Sequence, residues 1–169
     1  MLRQFLENDN HKKRILFGSI KDEEVFNQLK TINKDESVDI KLGANKDELT
    51  KAVSLKVTKI KEADIILVHG EKIIGTLGQG ILVNVIDKDI DIIISNKTGR
   101  MTNTINFDQF GIDWSKYDIV VLKQGYIFPD FKEKAYDYVM SLTDGATPQN
   151  TRKIPFKQIM RPMYPIDEI

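Results

Sequence analysis

Val53-Ser54-Leu55-Lys56-Val57-Thr58 sets apolar and polar residues in strict alternation. A strand points successive side chains to opposite faces, so this stretch has one apolar face and one wet face. The same chemistry extends outward from Val38 to Ser95. Ile65-Ile66-Leu67-Val68 runs into His69-Gly70-Glu71-Lys72, a turn, and then into Ile73-Ile74. Ile81–Ile86 and Ile90–Ile94 flank Asp87-Lys88-Asp89, a second turn. β-Branched residues dominate these runs, and strands joined by tight turns pair mostly antiparallel. Gly75-Thr76-Leu77-Gly78-Gln79-Gly80 is glycine-dense. A phosphate cradle would need a helix behind those glycines, whereas the residues that follow read as strand. The stretch is therefore read as a hairpin loop.

Helices are expected on either side of this block. Ile15-Leu16-Phe17 is a short strand that leads through Gly18-Ser19 to Asp22-Glu23-Glu24. Acids suit the exposed N–H groups at a helix start, and Val25, Phe26, Leu29 and Ile32 follow at helical spacing. On the far side, Asp118–Leu122 is a short buried strand. Phe131, Ala135, Tyr138, Val139 and Leu142 then fall on one stripe of a helix, with Pro129 and Asp130 in its first turn. All five prolines lie from Pro129 to Pro165, so the earlier chain can pair its backbone without interruption. From Thr143 onward the chain is turn-rich and reads as an extended, proline-spaced tail. The fold class is α+β: a mixed, mostly antiparallel sheet with two main helices, near Asp22–Ile32 and Asp130–Leu142, in one domain over residues 1–169.

Composition narrows the chemistry. The 169 residues carry 25 Lys+Arg against 25 Asp+Glu, two His and no Cys. Zero net charge argues against a nucleic-acid partner, which would need a basic excess. Absence of Cys excludes disulfides, thiolate zinc sites and cysteine nucleophiles. His11 and His69 are too few and too separated for a His-rich metal site. His11 stands beside Lys12-Lys13-Arg14, and His69 sits at a turn. No apolar run approaches the roughly 20 residues that span a bilayer, so no membrane partner is expected and the cytoplasm is the default location.

Two places could carry ligand contacts. Lys123-Gln124-Gly125-Tyr126 directly follows a buried strand and precedes a helix, where a rigid strand aims a loop at a ligand. The same residues also fit a solvated strand terminus and a tight turn. Between Thr151 and Met163, Arg152, Lys153, Lys157 and Arg161 form an acid-free basic stripe broken by Ile154, Phe156, Ile159 and Met160. Such a stripe can meet a phosphate or carboxylate, or it can pair with the body while its apolar residues anchor the tail.

Arg152-Lys153-Ile154-Pro155-Phe156 and Arg161-Pro162-Met163-Tyr164-Pro165-Ile166-Asp167 resemble the closing segment of microcystinase-C-like (MlrC-type) zinc metallopeptidases. Phe110-Gly111-Ile112-Asp113, Tyr117 through Lys123, Leu42-Gly43 with Lys46-Asp47, and Lys21 through Val25 resemble the same family in the same order. The resemblance implies the C-terminal domain of such an enzyme, beginning at Leu2–Leu6 just after the glycine-rich stretch that opens that region. Zinc would then belong to an N-terminal metal-binding domain, with no cofactor and no catalytic residue in this chain. Ile127-Phe128 stands where many members place a histidine-phenylalanine pair, so no role of that histidine carries over. The expected function is a wall of a substrate cleft, with Lys123, Gln124, Tyr126 and Arg161 as binding residues. The expected partner is that metallopeptidase domain, in the same or a separate chain. The alternative is a stand-alone interaction or oligomerisation module that forms a homo-oligomer.

Overall fold

A computed structural model describes residues 2–8, 12–43, 52–70, 72–141, 150, 152 and 154–167. His11, Lys46, Asp47, Glu71, Leu142, Thr143 and Lys153 lie outside the described residues. The chain divides into two compact units, Leu2–Asp137 and Tyr138–Ile169 with Met1.

The first unit is built on one sheet. Its elements are α1 (Leu2–Glu7), β1 (Ile15–Lys21), α2 (Glu23–Lys30), β2 (Ser37–Leu42), β3 (Val53–His69), β4 (Lys72–Val85) and β5 (Ile90–Ser95). They continue with α3 (Ile105–Gln109), a short 3-10 turn at Trp114–Lys116, β6 (Ile119–Leu122) and α4 (Pro129–Lys134). Six strands lie in the order β2-β3-β4-β5-β1-β6. The ladders from β2 to β5 are antiparallel, as alternation and tight turns require. β1 inserts between β5 and β6 and runs parallel to both, with Ile15 opposite Ile90 on one side and Ile119 on the other. The sheet is thus mixed with an antiparallel majority, and α+β is its class.

Apolar packing covers both faces of this sheet. Ile15, Phe17, Ile90, Ile92 and Ile94 share one core with Val25, Phe26 and Leu29 of α2. Leu16, Leu82 and Ile93, one residue out of step, share the other core with Phe107 of α3 and Phe131 of α4. The period of two along β1 and β5 therefore feeds two cores. Each fully buried Ile or Phe contributes about 1.5–3 kcal/mol to them.

α2 starts as its acids dictate: the Asp22 carboxylate accepts from Val25 N at 3.3 Å, and Glu23 and Glu24 occupy the first turn. Its far end is closed by a buried cation. Lys59 on β3 is 8% exposed and donates through Nζ to Leu29 O at 2.9 Å and Ile32 O at 3.0 Å. Those are carbonyls that a helix end leaves without partners.

Three expectations are corrected. The glycine stretch Gly75–Gly80 is not a hairpin loop but lies inside β4, and the turn falls at Gly70. Register shifts at Ile65/Ile66 and Leu67/Val68 show that Leu77 and Ile74 are extra residues bulged out of the ladder, which strand glycines permit. The helix expected to reach Leu142 stops at Lys134, and Ala135 has extended backbone at ψ 140°. Tyr136, Tyr138 and Val139 have weak helix propensity and are 107%, 53% and 87% exposed, so burial offsets little of it. α2 is accordingly the one long helix among the described residues. Finally, β6 is only half-buried, because it is an edge strand.

Candidate functional site

β5, β1 and β6 are neighbouring parallel strands, so their carboxyl ends emerge along one edge of the sheet. The chain leaves β1 towards α2 on one face, but leaves β5 and β6 towards α3 and α4 on the other. Where exits of adjacent parallel strands diverge in this way, a crevice opens outside the strand ends, and open α/β sheets bind ligands there. The loop from Lys123 to Phe128 lies on this edge.

The edge is tightly framed. Ser19 interrupts β1 between Phe17 and Ile20 and takes a left-handed backbone at φ 61°, which is rare for a residue with a side chain. Its hydroxyl lies 3.1 Å from that of fully buried Ser95 and 3.2 Å from Gly99 O, to which it donates. Asn96 accepts from Gln79 N at 2.9 Å through Oδ1, which binds the same loop to β4. Gly99 itself approaches Ile65 so closely that a Cβ there would meet that side chain at 3.0 Å. Further along, Met101 O accepts from the Gln124 amide. Thr104 N donates to Asp130 at 2.6 Å, and Lys134 bonds both Asp130, at 2.6 Å, and the Thr104 hydroxyl, at 2.7 Å. Burial opposes ionisation of Asp130, but the hydrogen bonds from Lys134 and Thr104 together outweigh it and hold the carboxyl below the usual aspartate range. The loops after β5 and β6 are therefore stapled to the sheet and to each other.

Three of the four residues singled out in the sequence meet here. Lys123 is exposed and makes no ion pair among the described residues. Gln124 turns its amide N–H₂ inward to Met101 O, and its Oε1 is buried without a partner. Tyr126 is 62% exposed, with its ring 4.9 Å from that of Phe128. Arg161 belongs to the second unit, where it pairs with Asp167, whose other oxygen accepts from Met163 N at 2.9 Å. The loop Asn96–Met101 carries no motif that marks it in the sequence. The usable signal was Gly99 between two cations, Lys97 and Arg100, directly after a strand. Among the described residues no three His, Cys, Asp or Glu side chains converge as a metal-ligand set.

Opposite this edge, at the strand starts, lies a closed polar network. Asp91, 8% exposed, accepts from Tyr117 Oη at 2.5 Å and Asn84 Nδ2 at 2.8 Å, while the Arg14 guanidinium stacks 4.4 Å over the Tyr117 ring. Burial, then the Asp91 hydrogen bond, push the Tyr117 phenol well above its ordinary value. Every group is satisfied, which marks a structural lock.

The same fold occurs in a longer protein. A crystal structure described as a "Putative metallopeptidase" from Mesorhizobium sp. BNC1 superposes with a TM-score of 0.76 at 15% identity, covering 99% of this chain. This chain spans 34% of that structure's length. No curated protein matches the sequence. Residues 1–158 match the family described as MlrC C-terminus, and the chain belongs to that family.

Proposed function

We propose that this chain forms one wall of a substrate cleft in an MlrC-like amide hydrolase and performs no catalysis by itself. The observation that carries the reading is the stapled loop Lys123–Phe128 at the diverging carboxyl edge, with an exposed lysine, an exposed tyrosine and an unsatisfied buried oxygen. Lys123 suits a peptide carboxylate. Zinc, on this reading, is held by a preceding domain or a separate chain that completes the cleft. Freedom from cysteine fits a cytoplasmic setting. No helix among the described residues is long and apolar enough to cross a membrane. The test is kinetic. With this chain joined to a metal-binding domain of its family, Lys123→Ala raises KM while bound zinc stays constant; unchanged kinetics remove the lysine from the cleft.

One observation favours a second reading, an assembly module. Ile73 and Ile74, at the far end of the β3–β4 hairpin, are 53% and 60% exposed. Exposed apolar residues on a projecting ribbon promote association. Light scattering decides it: a monomer at high concentration excludes a homo-oligomer built on this tip.

A further inference from the structure

The carboxyl edge holds more unpaired positive charge than the Lys123 loop alone supplies. Lys21 ends β1 directly opposite Ser95, Lys97 and Arg100 lie in the loop after β5, and Lys123 follows β6. All four are exposed, and none has an acid partner among the described residues. Two acids that frame this edge, Asp22 and Asp130, are already engaged. Asp22 accepts from Val25 N and from Gly43 N at 2.7 Å, and Asp130 is held by Thr104 and Lys134. In a chain of zero net charge this is a local excess of cations on a fixed frame. The loop carrying Lys97 and Arg100 is tied at Asn96, Gly99 and Met101, so little further ordering is required on binding.

A second, independent observation lies beside it. Gln124 donates its N–H₂ to Met101 O, which leaves Oε1 buried and unsatisfied. Flipping the amide would face two oxygens against each other, so the orphan is an acceptor awaiting a donor. A group that satisfies both features carries an anion and, close to it, an N–H. A phosphate offers the first without the second.

We infer that the edge formed by Lys21, Lys97, Arg100, Lys123 and Gln124 binds the carboxyl-terminal end of a peptide, with the cations on its carboxylate and Gln124 Oε1 accepting from its last amide N–H. This rests on the reading that the Lys123 loop faces substrate, and it names the end of the substrate that lies there. Arg100 suits a carboxylate best, because its guanidinium can form two parallel hydrogen bonds.

The full chain is titrated calorimetrically with three probes: N-acetyl-alanyl-alanine, its carboxyl-terminal amide, and the ester analogue that replaces the last N–H by oxygen. The free acid binds, and the amide and the ester each bind about tenfold more weakly or worse. Lys97→Gln and Arg100→Gln each weaken the free acid about fivefold or more with unchanged thermal melting. The inference is overturned by no binding of the acid, by equal binding of acid and amide, or by equal binding of acid and ester. If Lys97→Gln and Arg100→Gln bind like the parent while Lys123→Ala is weakened, the inference falls and the loop reading stands. If Arg100→Gln is weakened and Lys123→Ala is silent, the carboxylate edge stands and the lysine's role in the cleft falls.

Discussion

One buried and one half-buried polar side chain, Lys59 and Tyr117, support predictions at the scale of single residues. Lys59 holds a positive charge against the carboxyl end of α2 through Leu29 O and Ile32 O. Lys59→Met keeps the stem and removes the donor, leaving those carbonyls unpaired. The expected loss is about 1–3 kcal/mol in urea unfolding, and a change within error shows that water replaces the ammonium. Tyr117 offers a spectroscopic test. Its raised folded value means that the folded chain keeps the phenol proton longer than the unfolded one does. Stability from this group is therefore complete below the ordinary tyrosine value, about 10, and declines as pH rises beyond it. In an alkaline absorbance titration Tyr117 ionises late, together with unfolding, and Tyr117→Phe removes that late phase. Neither residue was marked by the sequence: a lysine in an alternating strand reads as solvent-facing, and a hydrogen bond spanning 26 residues leaves no local trace.

Glycines separate packing from propensity at the scale of elements. Gly75 and Gly80 both lie in β4, yet a Cβ on Gly75 meets nothing within 4 Å, whereas one on Gly80 meets Ile93 Cγ2 and Phe110 Cζ at 2.9 Å. Gly80→Ala should cost about 1–3 kcal/mol, and Gly75→Ala should be neutral or slightly stabilising, both read by chemical denaturation. Equal costs would mean that strand propensity governs both. The tether of α4 gives a pH test. Asp130 is held below the ordinary aspartate value, so its contribution is present above about pH 4 and fades as pH falls through its lowered folded value. Amide exchange in Thr104–Gln109 should quicken in that acid window, and Asp130→Asn should remove the acid dependence. Elements with strong local signals were legible: the Asp22 cap of α2, the turn around Asp87 and the strand at Asp118–Leu122 all stand where their residues indicated. The stripe through Tyr138 and Val139 misled because periodicity says which side of a helix would be apolar, not whether that side is buried.

For the molecule as a whole, alternation in Val53–Thr58 was sufficient for the antiparallel half of the sheet, because neighbours in sequence are neighbours in space there. The parallel half was illegible. Nothing local to Ile15-Leu16-Phe17 states that its partners lie beyond residues 90 and 119, and the candidate edge exists only through that insertion. Family resemblance was legible over most of the chain: the match covers residues 1–158, while the quoted tail motif runs on to Asp167. Amide exchange checks the whole arrangement. Ile92, Ile93 and Ile94, fully buried in the middle of the sheet, should exchange slowest, and the hairpin end near Ile73 and Ile74 fastest among the strands. A protected hairpin end would indicate association.

The central position of β1 also has a consequence for synthesis. Ile15-Leu16-Phe17 leaves the ribosome before either of its partners, which follow about 75 and about 104 residues later in the register. At roughly 5–20 residues per second, that apolar strand waits several seconds without either neighbour. The antiparallel ribbon from β2 to β5 can assemble as it emerges, since each strand meets the one before it. Folding should therefore close from the last-made strands back onto the first. A release-stalled chain ending before Ile119 should recruit chaperones at Ile15-Leu16-Phe17, and one extended past Leu122 should let them go.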